Sequence, residues 1–327
     1  MNHCPTLRDV YIARGRITGL VRRTPFVESP ALSKATAGEV FLKLECLQCT
    51  GSFKVRGASN RILSLSEAEK KRGVATFSTG NHGKAVAYVA GRLGIPAVVC
   101  LSEHVPAYRA RLIEEYGARV HVEGHSQDEA ESAYYGLVEE RRLVSVVPFD
   151  DPFVIAGQGT LALEMLEDVP DLDTVLVPLS GGGLLAGVAL AIKSVHPGAR
   201  VVGVSAERSP VMLESLRAGK PVRMDEKDTL ADSLLGGIGD DNRYTLEMIR
   251  DLVDDHVVVT EEEIEGGMVF AFRNHSLVIE GAAAVGIAAL LAGKVDIHGK
   301  KAGILLSGSS VEERRYLEVL NRHVNTR

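Results

Sequence analysis

The chain has 327 residues, enough for two ordinary domains and a large buried core. Hydrophobic residues make up 45% and charged residues 24%, which excludes fibrous, low-complexity and coiled-coil material. With 37 Lys and Arg against 43 Asp and Glu, the net charge is −6, and there are no basic runs; nucleic acid and anionic membranes are poor partners, which leaves small molecules.

Four cysteines are too few for a disulfide framework, and the start MNHCPTLRDV has no apolar signal region. A reducing, cytoplasmic setting is expected. In chain order, β-rich runs appear at EVFLKLE, GVATFST, IPAVVCLS, ARVHVEG, DTVLVPLS, ARVVGVSAE, HVVVT and AGILLSG. Between most of them lie stretches such as HGKAVAYVAGRLG with apolar residues at helical spacing and a glycine near the end. This alternation predicts an α/β fold of right-handed βαβ units around parallel sheets. The units cluster between Val74 and Val147 and again after Leu172, so two doubly wound domains with a ligand cleft between them are expected, while the first 65 or so residues keep a weaker rhythm. The uncharged run from Thr174 to Ile192 is long enough to span a bilayer, but Pro178 and three consecutive glycines suit a strand, a tight turn and a helix instead. The apolar run from Gly281 to Gly293 reads as a buried helix.

Ligands of open parallel sheets sit at the carboxyl ends of strands, which directs attention to two loops. In SGGGLLAG, backbone N–H groups of Gly181, Gly182 and Gly183 can converge on a phosphate at a helix N-terminus; a tight turn needing positive φ is the plain alternative. An aspartate at Gly182 is then expected to repel the phosphate. The same segment fits G-x-G-x-x-A through Gly181, Gly183 and Ala186, with Glu207 ending the next strand, so a dinucleotide-dependent oxidoreductase is a second reading. In STGNHG, Ser78 to Gly83, backbone N–H groups and side-chain donors could take a carboxylate, or Ser78 or Thr79 could merely cap the helix. Lys54, in TGSFKVRGA, would be a solvated surface charge in most contexts, but near a phosphate site desolvation makes a lysine a Schiff-base nucleophile. Cys46 and Cys49 form one C-x-x-C, which cannot complete a zinc site, and His121 and His125 lie on a strand running into a turn, so neither pair predicts a metal or redox centre.

Taken together, CTGSFKVRGA, STGNHG, SGGGLLAG, TLADSL, EGAAAVGIAAL and ILLSGSS, in this order over nearly the whole chain, resemble the fold type II pyridoxal-phosphate enzymes, the threonine dehydratases and serine racemases. STGNHGKAVAYVA, GHSQDEA, VIAGQGT and TLADSLLGGIGDDNRYT are most similar to the hydroxyectoine-utilisation dehydratase branch. The resemblance implies a large cofactor-binding domain of residues 1–66 plus 148–327, a small substrate-loop domain of residues 67–147, and a homodimer. It also implies pyridoxal 5'-phosphate carried on Lys54, against Phe53, with Asn81 on the ring hydroxyl. Gly181, Gly182, Gly183 and Leu184 would hold the phosphate, and Ser78, Thr79 and His82 the substrate carboxylate. Ser307 would face the pyridine nitrogen, with Glu280 beside the ring. A neutral hydroxyl there leaves the ring a weaker electron sink, which favours β-elimination over racemisation. The implied reaction is loss of water from a β-hydroxy amino acid, either threonine or serine or a ring-opened hydroxyectoine derivative; a serine-type racemase is the alternative. This chain departs from the pattern with Cys49 for a proline, with Thr79 where racemases carry a serine, and with Ser309 and Ser310 for a Gly-Asn pair. Glu207 matches the first acid of the racemase cation site, but Leu213 stands where a second is needed, so no bound metal is expected.

Overall fold

The computed structural model describes residues 3–324 apart from 79, 104, 106, 125, 126 and 209. Its strands are β1 (Phe26–Glu28), β2 (Glu39–Lys43), β3 (Val74–Phe77), β4 (Ala97–Leu101), β5 (Arg119–Val122), β6 (Val144–Ser145), β7 (Thr174–Pro178), β8 (Arg200–Ala206), β9 (Asp255–Val259) and β10 (Lys301–Leu305). They form a six-stranded sheet in the order β1-β2-β10-β7-β8-β9 and a four-stranded sheet in the order β5-β4-β3-β6. Every pairing is parallel except that of β1 with β2, so one antiparallel edge departs from the expected all-parallel pattern. β1 and β6 have three and two residues, too short to leave a periodicity that the sequence could show.

Both sheets are covered on both faces, which is why their strands read as near-continuous apolar runs. In β7, Val175 and Val177 enter one core cluster and Leu176 the other, as the two-residue period requires. In the small sheet, Val74 and Val99 face one cluster while Ala75, Val98 and Cys100 face its opposite. The run Gly281–Leu291 forms the expected buried helix, and TVLVP is a strand followed by a glycine turn and a helix at Gly183–Val195. Among the described residues, no helix is long and apolar enough to cross a membrane.

The helix Lys54–Leu63 joins the two sheets. Its Val55, Ala58 and Ile62 enter the core of the four-stranded sheet. Its opposite side lies against the helix Pro152–Asp168, so close that a Cβ on Gly157 would stand 2.7 Å from the Arg56 carbonyl oxygen and from Gly57 Cα. Only glycine permits that approach. Beside the contact, Arg56 is fully buried, donating to Glu45 through Nε (2.8 Å) and Nη2 (2.8 Å) and to Glu164 through Nη1 (2.7 Å) and Nη2 (2.9 Å). Buried Lys43 donates to Glu164 and to the Thr24 carbonyl, and the Thr24 hydroxyl donates to Glu45. Burial opposes ionisation of Glu45, yet the charge and hydrogen bonds of Arg56 hold its carboxyl below the ordinary range.

Removing Arg56 leaves the buried Glu45 carboxylate, among the described residues, with only the Thr24 hydroxyl and leaves Glu164 with Lys43 alone. We expect Arg56→Leu to cost about 3–5 kcal/mol of unfolding free energy in the cofactor-free protein, read from urea denaturation. A loss below about 1 kcal/mol would show that the network contributes little beyond its hydrophobic isostere.

Candidate active site

Lys54 is the first residue of its helix, with Phe53 in the cap position. Its Nζ donates to the Pro148 carbonyl oxygen at 2.9 Å and lies 5.3 Å from the centroid of the Phe53 ring. Burial lowers the Lys54 ammonium to about 8, with the Glu280 carboxylate acting in the opposite direction. An amine tuned this way has a substantial neutral fraction near neutral pH, which both nucleophilic attack and proton abstraction require.

The residue after Pro148 connects Lys54 to the glycine loop. A Cβ on Gly181 or on Gly183 would meet Phe149, so both glycines allow the loop to lie on that residue. Gly182 has φ +91°, a left-handed conformation that favours glycine. The buried residues Gly181, Gly182, Gly183 and Leu184 stand at the N-terminus of the helix Gly183–Val195, and their backbone N–H groups donate to no described residue. Consecutive unpartnered donors at the positive end of a helix suit a phosphate. The expected charge clash at Gly182 needs correction, because its Cβ would point at Ile249, Met212 and Thr245. An aspartate there would be buried among apolar groups on the packed side of the loop.

Opposite the lysine, Glu280 is buried at the start of the helix Gly281–Leu291, and its side chain turns away from the helix it precedes. Asn81 Nδ2 donates to both of its oxygens at 3.0 Å, and the Ser310 backbone N–H donates to Oε2 at 3.0 Å. Burial pushes the Glu280 carboxyl up to about 7; Asn81, Lys84 and the Ser310 amide pull it down, and Asp232 adds to the rise. Ser307, 3% exposed, gives its carbonyl to the Phe53 N–H at 3.1 Å, and Gly308 pairs with Ser52 in an antiparallel bridge. The Ser307–Ser310 turn therefore touches both the lysine segment and the Asn81–Glu280 pair.

The STGNHG loop follows β3. Its helix, Asn81–Leu93, is capped by Gly80 without a side-chain bond, and the partly buried Ser78 hydroxyl instead accepts from the Gly80 N–H at 3.4 Å. Thr79, expected to act as the opposite-face group, lies outside the described residues. His82 is buried, and burial, with the Lys54 charge adding to it, drives its imidazole down to about 3 against the opposing bond to the Val146 carbonyl. A carbonyl only accepts, so Nε2, 2.8 Å from the Val146 oxygen, carries the single hydrogen of the neutral ring. The ring therefore has no N–H to offer a carboxylate, contrary to a donor role.

With this geometry in hand, the chain was compared with known proteins. A model of the family described as "Pyridoxal-phosphate dependent enzyme" matches residues 17–308. The chain belongs to this family. It is 47% identical over 316 residues to a putative threonine dehydratase of Sinorhizobium fredii, covering 97% of this chain and 95% of the relative. It is 43% identical over 317 residues to an L-threonine ammonia-lyase of Thermotoga maritima, covering 97% and 78%. Among solved structures, maize serine racemase superposes with a TM-score of 0.91 at 33% identity over 99% of each chain. The cofactor is pyridoxal phosphate, and the dinucleotide reading falls with that result. The residues present fit the cofactor: a desolvated amine, a row of amides without partners among the described residues and a buried serine stand on segments that touch one another through Pro148–Phe149 and the Phe53–Ser307 bond.

The remaining candidates stand apart from the pyridoxal-phosphate site's chemistry. Cys46 is buried, and burial pushes its thiol up to about 12, unsuited to a thiolate; Cys49 is also reduced, its Sγ near the Leu20 carbonyl. His121 pairs with Glu123 at 2.7 Å on β5, while His125 lies outside the described residues. Glu207 is exposed and Leu213 is buried in the core. Reasoning from sequence missed Pro148 and Phe149, because an ordinary carbonyl and an apolar ring carry no motif. Asp150 was also missed; it accepts from the backbone N–H groups of Arg243, Tyr244 and Thr245 at 2.6, 3.0 and 2.9 Å.

The state of His82 makes stability depend on acid. The unfolded chain takes up this proton near pH 6.5, whereas the folded protein keeps the ring neutral down to about 3, so stability is lost as pH falls through that window. Between about pH 7.5 and 5 the cofactor-free protein should lose about 2 kcal/mol that His82→Gln does not lose, measured by urea unfolding at both values. Parallel losses in the two proteins would mean that the ring is protonated in the native state.

Proposed function

We propose that this enzyme is an ammonia-lyase that eliminates water from a β-hydroxy amino acid, threonine or serine, and releases a 2-keto acid and ammonium. The observation that carries the reading is that Lys54 Nζ is held on the Pro148 carbonyl while the next residue, Phe149, lies against Gly181 and Gly183 of the glycine loop. The threonine dehydratase and ammonia-lyase relatives support the same reaction class. Bound pyridoxal phosphate supplies a conjugated, electron-withdrawing ring at the amino acid's α-carbon. Gly181, Gly182, Gly183 and Leu184 would hold the phosphate, Phe53 would lie against the ring, Asn81 would donate to its hydroxyl, and Glu280 would stand beside it. Ser307 offers a neutral hydroxyl to the pyridine nitrogen. Lys54 Nζ would take the α-proton and return it to the departing β-hydroxyl, which leaves as water. The unsaturated amine released then takes up water to give the keto acid and ammonium. Ser78, Thr79 and the backbone N–H of His82 receive the substrate carboxylate.

Within this class, resemblance to the hydroxyectoine-utilisation branch favours a larger substrate. Hydroxyectoine is a cyclic amidine without a free primary amine, so the acceptable form is a ring-opened 3-hydroxy-diaminobutyrate derivative. We take the chain to act as a cytoplasmic homodimer divided into residues 1–66 plus 148–327 and residues 67–147, without a divalent cation. A second reading, amino-acid racemisation, draws on the likeness to maize serine racemase.

Borohydride reduction of the holoenzyme followed by peptide mapping should leave the pyridoxyl group on Lys54; a label on another lysine overturns the site. Ammonia release should then be compared on L-threonine, L-serine and ring-opened 3-hydroxy-diaminobutyrate derivatives, with chiral analysis of recovered substrate. Preference for threonine or serine removes the hydroxyectoine assignment and keeps the lyase. Mirror-image substrate appearing faster than ammonia replaces the lyase by a racemase.

A further inference from the structure

Among the described residues, Ser310 is the one whose hydroxyl and backbone N–H both serve the Asn81–Glu280 pair. Its Oγ lies 2.6 Å from Asn81 Oδ1 and accepts from the Lys84 ammonium, while its N–H donates to Glu280 Oε2. An ammonium can only donate, so the Ser310 oxygen accepts from Lys84 and its single hydrogen is left for Asn81. The atom receiving that hydrogen is then the amide oxygen, which turns the NH2 edge of Asn81 toward the two Glu280 oxygens. The reversed amide would set an oxygen against a carboxylate on one side and an N–H against a committed hydroxyl on the other. The neighbouring Ser309 Oγ donates to the carbonyl oxygens of Cys46 and Gly51, each at 3.3 Å, which ties the turn to the segment leading into Lys54.

We propose that Ser310 is a positioning residue: its hydroxyl, oriented by Lys84, locks the Asn81 amide with its NH2 group on the Glu280 side, where one N–H serves the carboxylate and the other would meet the cofactor's ring hydroxyl. The inference rests on the proposed site and adds to it the reason why Asn81 presents a donor there. The hydrogen bonds all point one way, from the Lys84 ammonium through the Ser310 hydroxyl and the Asn81 amide to the Glu280 carboxylate. These four residues come from both sides of the cleft, Asn81 and Lys84 from the helix after β3, and Glu280 and Ser310 from the large-sheet side. Because Ser310 is partly exposed and outside every core cluster, its side chain can be changed without opening a cavity.

The test uses the holoenzyme and its Ser310→Ala, Ser310→Thr, Lys84→Met and Ser310→Ala/Lys84→Met variants. Pyridoxal phosphate dissociation is measured by equilibrium dialysis and the visible absorption band is recorded at one pH. Loss of one oriented hydrogen bond should weaken cofactor binding in Ser310→Ala about tenfold. The band should shift, while the unfolding midpoint of the cofactor-free protein stays unchanged. Ser310→Thr should restore both readouts. Lys84→Met should shift the band in the same direction, and the double variant should be no worse than the more affected single variant, as members of one relay behave. Wild-type affinity and band in Ser310→Ala, additive effects in the double variant, or a fall in the cofactor-free midpoint that threonine does not repair would each overturn the proposal. Borohydride labelling of Ser310→Ala separates the two readings: a label on Lys54 with unchanged affinity sinks only the Ser310 role, whereas a label elsewhere sinks the site.

Discussion

The placement of Lys54 depends on a guanidinium two residues further along the same helix. Arg56 has no exposed surface and divides its donors between Glu45, which follows β2, and Glu164 in the helix Pro152–Asp168. A buried fork of this kind is weak as a source of stability but strong as a constraint on geometry, because each donor direction is fixed by a planar group. Together with the contact between Gly57 and Gly157, it fixes the helix start relative to the large sheet to within side-chain contact distance. The reactive amine inherits that position without a bond of its own to the scaffold beyond the Pro148 carbonyl.

A second constraint is the segment from Val146 to Asp151. Its residues successively receive the His82 ring N–H and the Thr76 hydroxyl at Val146, hold Lys54 at Pro148, and back the glycine loop with Phe149. Asp150 then caps the start of the helix Thr245–Leu252, and Asp151 caps the helix Pro152–Asp168. Six residues thus set the spacing between the amine, the loop after β3 and the glycine cradle. Val146 and Pro148 act through backbone carbonyls, which explains why residue identity reveals so little of their work, whereas Asp150 and Asp151 act through their carboxylates.

This also explains which parts of the molecule were legible in the sequence. Strands such as β4 and β7 were readable because burial on both faces writes a continuous apolar run, and β5 because its two valines alternate with polar residues; β1 and β6 were not, since two or three residues carry no period. The glycine loop and Lys54 were readable because their chemistry demands particular residue types in particular turns. The state of the His82 ring was not legible, because its protonation depends on burial and on the Val146 carbonyl, neither of which appears in a local motif. At Gly182 the expected clash was placed on the wrong face of the loop, since the direction of a missing Cβ follows from φ and from Ile249, Met212 and Thr245 packed behind it. The pair Ser309 and Ser310 looked like a loss; in the structure both hydroxyls are engaged.

The pairing of β2 with β10 has a consequence for the order in which the molecule is made. Glu39 lies opposite Lys301 and Lys43 opposite Leu305, so the large sheet joins strands from opposite ends of the chain. On a ribosome, β2 emerges early and must wait for β10, with its unpaired edge open, whereas the four-stranded sheet has all its strands by residue 145. Such distant pairing raises contact order and slows folding. Ser307 and Ser310 follow β10, so the cleft gains its last polar groups only after the sheet has closed, and a nascent chain can hold its finished fourth-strand unit long before it can hold a cofactor.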